Sequence, residues 1–286
     1  MKKYILLLTL FLNFAVSSFS LSPFEPEVVS SFAQNLYETG FWDEAESEFK
    51  RALFLSNAVN QNPFSKQTEQ NLFSLTTIYN ANNDLDGLMW LQNNFSSKLN
   101  LDIKEKLDFS TTRLLFLSRN EKDFINFTNS IEKDLTQYST TFNALTTLSK
   151  DLFSHNISLV AKNALEISND LPQFQDFSNA CSSYNTKNAA LATTLSILIP
   201  GAGKWYTGNF SSFISSFLSI GSFVAGTVYT GIESQWKSPR PYIFGTCALV
   251  LYIVDIYGAN KAAKRYNNAQ YLKLFEQLDS VYEKSF

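Results

Sequence analysis

The chain has 286 residues, 23 basic against 26 acidic side chains, one histidine and two cysteines, and 15% of it is aromatic. So little His and Cys leaves no material for a metal cluster or a disulfide framework, and neither a metal nor a cofactor is expected. The charge divides unevenly: residues 21–186 carry 12 basic and 21 acidic side chains, residues 187–286 carry 9 and 5, and an acidic body repels phosphate backbones, so nucleic acid is not an expected partner.

At the start of the chain Met1-Lys2-Lys3 precedes an uncharged apolar run from Tyr4 to Val16 and then the small residues Ser17, Ser18 and Ser20. Basic start, short apolar core and small-residue exit are the order of a secretory signal, here assigned to residues 1–20. Thirteen helical residues rise only about 20 Å, short of a ~30 Å hydrocarbon core. Export of the following segment is therefore expected.

Residues 21–186 contain few glycines, little alternation and many apolar residues at spacings of three and four, the pattern of amphipathic helices. In the clearest unit, Val28 to Val59, the small residues Ala33 and Ala45 let two helices approach, while Phe32 and Phe49 are expected to fill the space between pairs. Val29, Phe32, Ala33 and Leu36 stand where a tetratricopeptide repeat places W-x-x-L-G-x-x-Y, Gly40 marks its turn, and Ala45, Phe49 and Ala52 take the second-helix positions. This segment resembles a tetratricopeptide repeat. Asn83, Asn120 and Asn156 are expected at later hairpin turns, where Asn tolerates the left-handed conformation, at intervals close to the ~34-residue repeat. Leu88, Ile125 and Ala161 each follow by five. The resemblance implies stacked helical hairpins, whose surfaces commonly take a protein or peptide partner.

The composition changes at about residue 187. Asn188 to Gly203, Asn209 to Ile232 and Tyr242 to Val254 are uncharged and mostly apolar, and the second run is long enough to cross a bilayer. On a helical wheel Phe213, Phe217, Ile220, Val224 and Val228 share one side, expected to face lipid. Ser212, Ser215, Ser219, Ser222 and Gly226 share the other, expected to pack closely or to join copies of the chain in a homo-oligomer. The membrane region is assigned to residues 187–262, with two or three apolar helices, and residues 263–286 to a basic to mixed-charge helical tail. Three crossings are preferred, because they bring Lys261, Lys264, Arg265 and Lys273 to the cytoplasmic side; a re-entrant first segment is the rival.

No motif in the chain carries recognisable catalysis. Pro200-Gly201-Ala202-Gly203-Lys204 is not a phosphate loop, since G-x-x-x-x-G-K-[ST] needs Gly at 198 and Ser or Thr at 205, where Leu198 and Trp205 stand. His155 falls at an expected hairpin turn without a nucleophile motif. The carboxylates Asp43, Glu44, Glu46 and Glu48 crowd one helix as a solvated face, and no enzymatic activity is expected. Asp255, near the end of the third apolar run, is either a group lining a polar path or an interfacial residue.

Pro200-Gly201-Ala202-Gly203-Lys204-Trp205-Tyr206-Thr207-Gly208, two apolar helices, and then Asp255-Ile256-Tyr257-Gly258-Ala259 with Ala262, Lys264, Arg265, Tyr266 and Asn267 together resemble the bacterial membrane-hairpin domains that open with P-G-x-G-x-x-Y-x-G, akin to the TM-two class. The likeness covers about 75 residues and singles out Pro200, Gly201, Gly203, Tyr206, Gly208, Asp255, Tyr257 and Gly258; it implies a membrane domain attached to other modules. The expected fold is all-α: tetratricopeptide-like stacked hairpins followed by a C-terminal transmembrane hairpin. The expected function is a membrane-tethered adaptor or scaffold in the bacterial inner membrane, multi-pass, touching membrane lipid, with its repeat domain on the periplasmic side. The alternative is a membrane-embedded assembly or transport component acting through the hairpin.

Overall fold

A computed structural model describes residues 24–61 and 63–285; the expected signal segment, residues 1–20, lies outside the described residues. Those residues form fourteen α-helices and three short 3-10 turns, with no strand. The chain divides into two compact units, one holding the residues up to Asn156 together with those from Tyr282 onward, the other Ile157–Val281.

Unit 1 begins with α1 (Pro26–Glu38) and α2 (Trp42–Leu55), followed by α3 (Lys66–Ala81), α4 (Leu85–Phe95), α5 (Leu101–Leu117), α6 (Glu121–Ser130), α7 (Glu132–Leu135) and α8 (Thr140–Phe153). α1 packs on α2, α3 on α4 and α5, and α5 on α6. Pro26 opens α1, where its missing N–H costs nothing. Ser65, Asp84, Asn100, Asn120 and Ser139 each accept a backbone N–H at the start of the helix that follows.

The first hairpin forms as the small residues require, with Val29, Ala33, Ala45, Phe49 and Ala52 buried and Leu36 packed partly against the core. Phe32 departs from expectation. It is 54% exposed, because the close approach is made by Ala33, one position on, and carries Phe32 to the outer side. Gly40 adopts φ +87°, and Phe41 N–H returns to Leu36 O at 2.9 Å, closing α1 in a Schellman turn.

Left-handed turns recur at Asn83 (φ +53°), Arg119 (φ +55°) and His155 (φ +56°). Only the first carries the expected asparagine. Asn120 instead stands one residue on and caps α6 by accepting from Asp123 N–H, and Asn156 likewise follows the left-handed residue. The register of burial moves with it: the residue five beyond each left-handed position is fully buried, namely Ala45, Leu88, Phe124 and Val160, whereas Ile125 and Ala161 are only half-buried.

α5 is enclosed on all sides. Asp108, Ser110, Thr111, Thr112 and Arg113 are buried there beside Leu107, Phe109 and Phe116. Asp108 accepts from Gln92 at 2.6 Å and from the Tyr138 hydroxyl at 2.5 Å. Burial raises its pKa, against those two hydrogen bonds, which lower it. Tyr282 and Glu283 complete this core. Tyr282 is fully buried, its ring 5.5 Å from Phe109 and 5.7 Å from Phe116, its hydroxyl 2.9 Å from Ser149 Oγ. Arg113 reaches Glu283 at 2.9 Å.

Unit 2 contains α9 (Ile157–Asp170), α10 (Gln175–Ser182), α11 (Ala189–Leu198), α12 (Ala202–Tyr206), α13 (Phe210–Glu233) and most of α14 (Arg240–Ser285). α9 and α10, expected with the repeat up to residue 186, therefore fall in this unit. The expected separate tail, 263–286, is no separate element either, because α14 runs unbroken through 46 residues. α13 and α14 are long and apolar enough to cross a membrane, and in the apolar stretch of each only 6% and 17% of the residues are buried. α11 is not long enough: ten residues rise about 15 Å.

Candidate functional site

α11, the backbone leading into it at Lys187 and the turn that follows it are held by one face of α14. Tyr252, Asp255, Ala259, Asn260, Ala263 and Asn267 recur on it at helical spacing. The Tyr252 hydroxyl donates to Ile197 O at 2.6 Å, and Asn260 Nδ2 donates to Thr193 Oγ1 at 3.2 Å. Asn267 makes a two-point clamp on Lys187, accepting its N–H at 2.7 Å and donating to its carbonyl at 2.9 Å. Each bond to the backbone satisfies a group that no helix or sheet partner serves, which is what irregular backbone needs where water is scarce.

Asp255 is the central rung, 2% exposed. Its Oδ2 accepts the Gly201 N–H at 2.6 Å, and its Oδ1 lies 2.7 Å from Lys204 Nζ. That second contact is an ion pair without hydrogen-bond directionality. The ammonium donates instead to Ser216 Oγ on α13 at 2.7 Å. One carboxylate and one lysine thus tie the Pro-Gly turn, α13 and α14 together.

The glycines make this possible. Gly201 stands at φ +84°, where a Cβ would lie 2.8 Å from Phe213 O. At Gly203 a Cβ would fall 1.9 Å from Ala192 O and 2.7 Å from Ala259 Cβ, so α12 meets α11 and α14 at backbone distance, and Gly203 N–H donates to Ser196 Oγ. Gly258 gives room to the Lys204 stem, at 3.3 Å. Gly208, at φ +86°, ends α12 with Asn209 N–H returning to Lys204 O.

Among the residues singled out by sequence, Gly201, Gly203, Gly258 and Asp255 come together. Pro200 sits in the turn beside them. Tyr206 stands slightly apart, accepting Asn188 N–H at 3.2 Å beneath the Lys187 ammonium. Tyr257 is 70% exposed and takes no part. Sequence reasoning missed Ser216, and it noted Lys204, Asn260 and Asn267 without giving them a role as partners. The signal was present, for Lys204 is the one charged residue between Asn188 and Ile232.

The two faces expected on α13 are mixed in the structure. Phe213, Ser216, Ile220, Phe223 and Thr227 turn inward, Phe223 meeting Phe244 at 6.1 Å and Gly226 abutting the same ring. Ser215, Ser219 and Ser222 are exposed beside Phe217, Val224 and Val228. A face at spacing three and four drifts around the helix, so these four serines and Gly226 span both sides.

Outside the ladder, His155 lies in its left-handed turn. Among the described residues no group of three or more His, Cys, Asp or Glu could hold a metal ion. Cys181 is buried, and burial pushes its thiol up to about 12. No protein-family model, no curated protein and no solved structure matches the chain.

Proposed function

We propose that the protein is a membrane-tethered helical adaptor: α13 and α14 cross the bilayer, and unit 1 binds a protein or peptide partner outside the cytoplasmic membrane. The observation that carries the tether is the outward apolar surface of the two long helices. Leu218, Val224, Val228 and Ile232 on α13, and Leu249, Val250, Ile253 and Val254 on α14, are all about half exposed or more. Water does not tolerate so continuous an apolar surface, and lipid does. Aromatic residues bracket the span, with Trp205 and Phe210 at one end and Tyr229, Trp236 and Tyr242 at the other, as expected of interfacial belts.

Two crossings fit better than the three preferred from the tail charges. Tyr282 and Glu283 complete the core of unit 1, so the end of the chain and residues 24–156 share one side of the membrane, which requires an even number of crossings. α11 then enters and returns as a re-entrant segment, supported by the ladder. The short connection after α13 brings Lys237 and Arg240 to the cytoplasmic side, while Lys261, Lys264 and Arg265 lie on the side to which the signal-like N-terminus directs unit 1. The likeness to tetratricopeptide repeats and to bacterial membrane-hairpin domains is part of this proposal, and the adaptor half is supported by the recurring left-handed turns and buried positions of unit 1.

Photo-crosslinking in intact cells tests the reading, with probes on exposed positions of α2 between Asp43 and Leu55 and, separately, at Ser215 and Ser219. A discrete heterologous adduct from α2 with silence from the serines is the expected result. Adducts from Ser215 and Ser219 alone overturn it in favour of assembly within the bilayer, a second reading favoured by the outward Ser215, Ser219 and Ser222. In that case Ser215→Phe abolishes assembly.

A further inference from the structure

Unit 1 carries a pocket of about 550 Å³ between α2 and α4. Leu53 and Phe95 form its apolar floor, both buried; Phe54, 83% exposed, Val59 and Trp90 stand around the mouth. Ligand sites commonly combine such an apolar body with a few polar groups, in volumes of about 300–1,000 Å³.

Tyr79 lines the same pocket and is fully buried; the Lys50 ammonium stands near its hydroxyl and, against the larger effect of burial, lowers its pKa, but no group meets it with the geometry of a full hydrogen bond. A buried hydroxyl left without one is costly and calls for an explanation. Burial pushes its pKa up to about 12, so it remains a donor. The ring is seated only because residue 87 is glycine: a Cβ there would lie 2.6 Å from Tyr79 Cδ1. The sequence thus spends a glycine inside α4 to place an unsatisfied hydroxyl here.

Charge decides the ligand. Asp84 and Asp86 line the pocket against a single cation, Lys50, which Glu46 already neutralises at 2.6 Å. Asp84 is partly committed, since its Oδ1 accepts Gly87 N–H at 2.9 Å, whereas Asp86 makes no ion pair among the described residues. The aromatic wall accepts a cation, as the Lys50 ammonium stands 5.4 Å from the Tyr79 ring centre and 6.0 Å from that of Trp90.

We infer that this pocket binds a peptide segment in which a large apolar side chain is followed by Lys or Arg. The apolar side chain fills the floor over Leu53 and Phe95. The basic group lies between Asp86 and the face of Trp90. A peptide carbonyl accepts the Tyr79 O–H as Lys50, half exposed, swings aside. The inference rests on the adaptor reading and gives its partner a chemistry.

The test uses the full chain in lipid nanodiscs and three fluorescein-labelled nonapeptides of Gly and Ser, with Leu-Arg, Leu-Gln or Leu-Glu at the centre, read by anisotropy. Leu-Arg is expected to bind about fivefold more tightly than Leu-Gln, the scale of one well-made surface ion pair, and Leu-Glu more weakly still. Asp86→Lys reverses that order, and Phe54→Ser weakens all three; both positions are at the surface, and circular dichroism verifies that the variants are folded. Equal affinities, no binding, or an order unchanged by Asp86→Lys overturns the inference. The two readings fail separately. A cellular adduct from α2 that survives Asp86→Lys keeps the adaptor and removes this pocket as its site, whereas no adduct and no peptide binding removes both.

Discussion

The ion pair between Lys204 and Asp255 makes the sharpest prediction. Asp255 is 2% exposed and the Lys204 side chain 20%, so removing one partner strands a charge away from water, at a cost of about 3–5 kcal/mol. Lys204→Met leaves the carboxylate with the Gly201 N–H alone. Asp255→Asn keeps an acceptor for Gly201 but leaves the ammonium only Ser216 Oγ, and its cost falls at the lower end of that range. The double variant holds no stranded charge and lies within about 1–2 kcal/mol of the parent, since apolar or neutral replacement of a buried pair is often nearly neutral. The coupling expected from these figures is therefore about 4–7 kcal/mol, above the ~0.5–3 kcal/mol usual for contacting residues because each single variant strands a buried charge. SDS titration of the protein in mixed micelles, followed by circular dichroism, measures all four species. Single variants within about 0.5 kcal/mol of the parent, or a double variant equal to the sum of the singles, refute the claim that this pair locks the turn to α14.

Four more outcomes follow. Gly208→Ala meets open space and bears only the left-handed penalty of about 1–2 kcal/mol, whereas Gly201→Ala also drives its Cβ into the Phe213 carbonyl and loses more in the same SDS titration; equal losses count against the clash. Asp108 has its pKa raised by burial, so its contribution to stability is full below its unfolded value and is lost as pH rises through the folded one. The urea midpoint of the parent minus that of Asp108→Asn should accordingly fall from about pH 4 towards pH 7, and a rising difference contradicts the burial argument. Cys181, its thiol pushed up to about 12, stays unlabelled by maleimide at neutral pH until the protein unfolds. Cys247 on α14 reacts in nanodiscs with neither N-ethylmaleimide nor a charged methanethiosulfonate, both of which need water at the sulfur, and with both once SDS unfolds the protein; labelling by either reagent in nanodiscs places that residue outside the hydrocarbon.

Helix content, the two long apolar helices and the small residues of the first hairpin were legible because each depends on local spacing. Asparagine misled at two of three turns, since the same side chain serves a left-handed residue and a helix cap. At residues 119–120 the cap took Asn120 and left Arg119 to adopt φ +55°. The ladder was half legible. Asp255, Gly201 and Gly203 stand out as an isolated charge and as breaks in apolar sequence. The partners Asn260 and Asn267 look like ordinary polar residues of a helix and acquire meaning only once the backbone at Lys187 and the Thr193 side chain are beside them. The Ser face failed because serine is indifferent to orientation when its hydroxyl can bond back to its own helix, as Ser222 does to Leu218 O.

Tyr282 has a consequence for how the protein is made. The slot between Phe109, Phe116 and Ser149 receives a side chain that follows Ser149 by 133 residues. During synthesis that slot stands open until the ribosome has delivered everything between, both long apolar helices included. A unit 1 core still lacking Tyr282 therefore marks a chain whose two long helices are not yet in place, and loss of that side chain is a folding defect felt more than a hundred residues away.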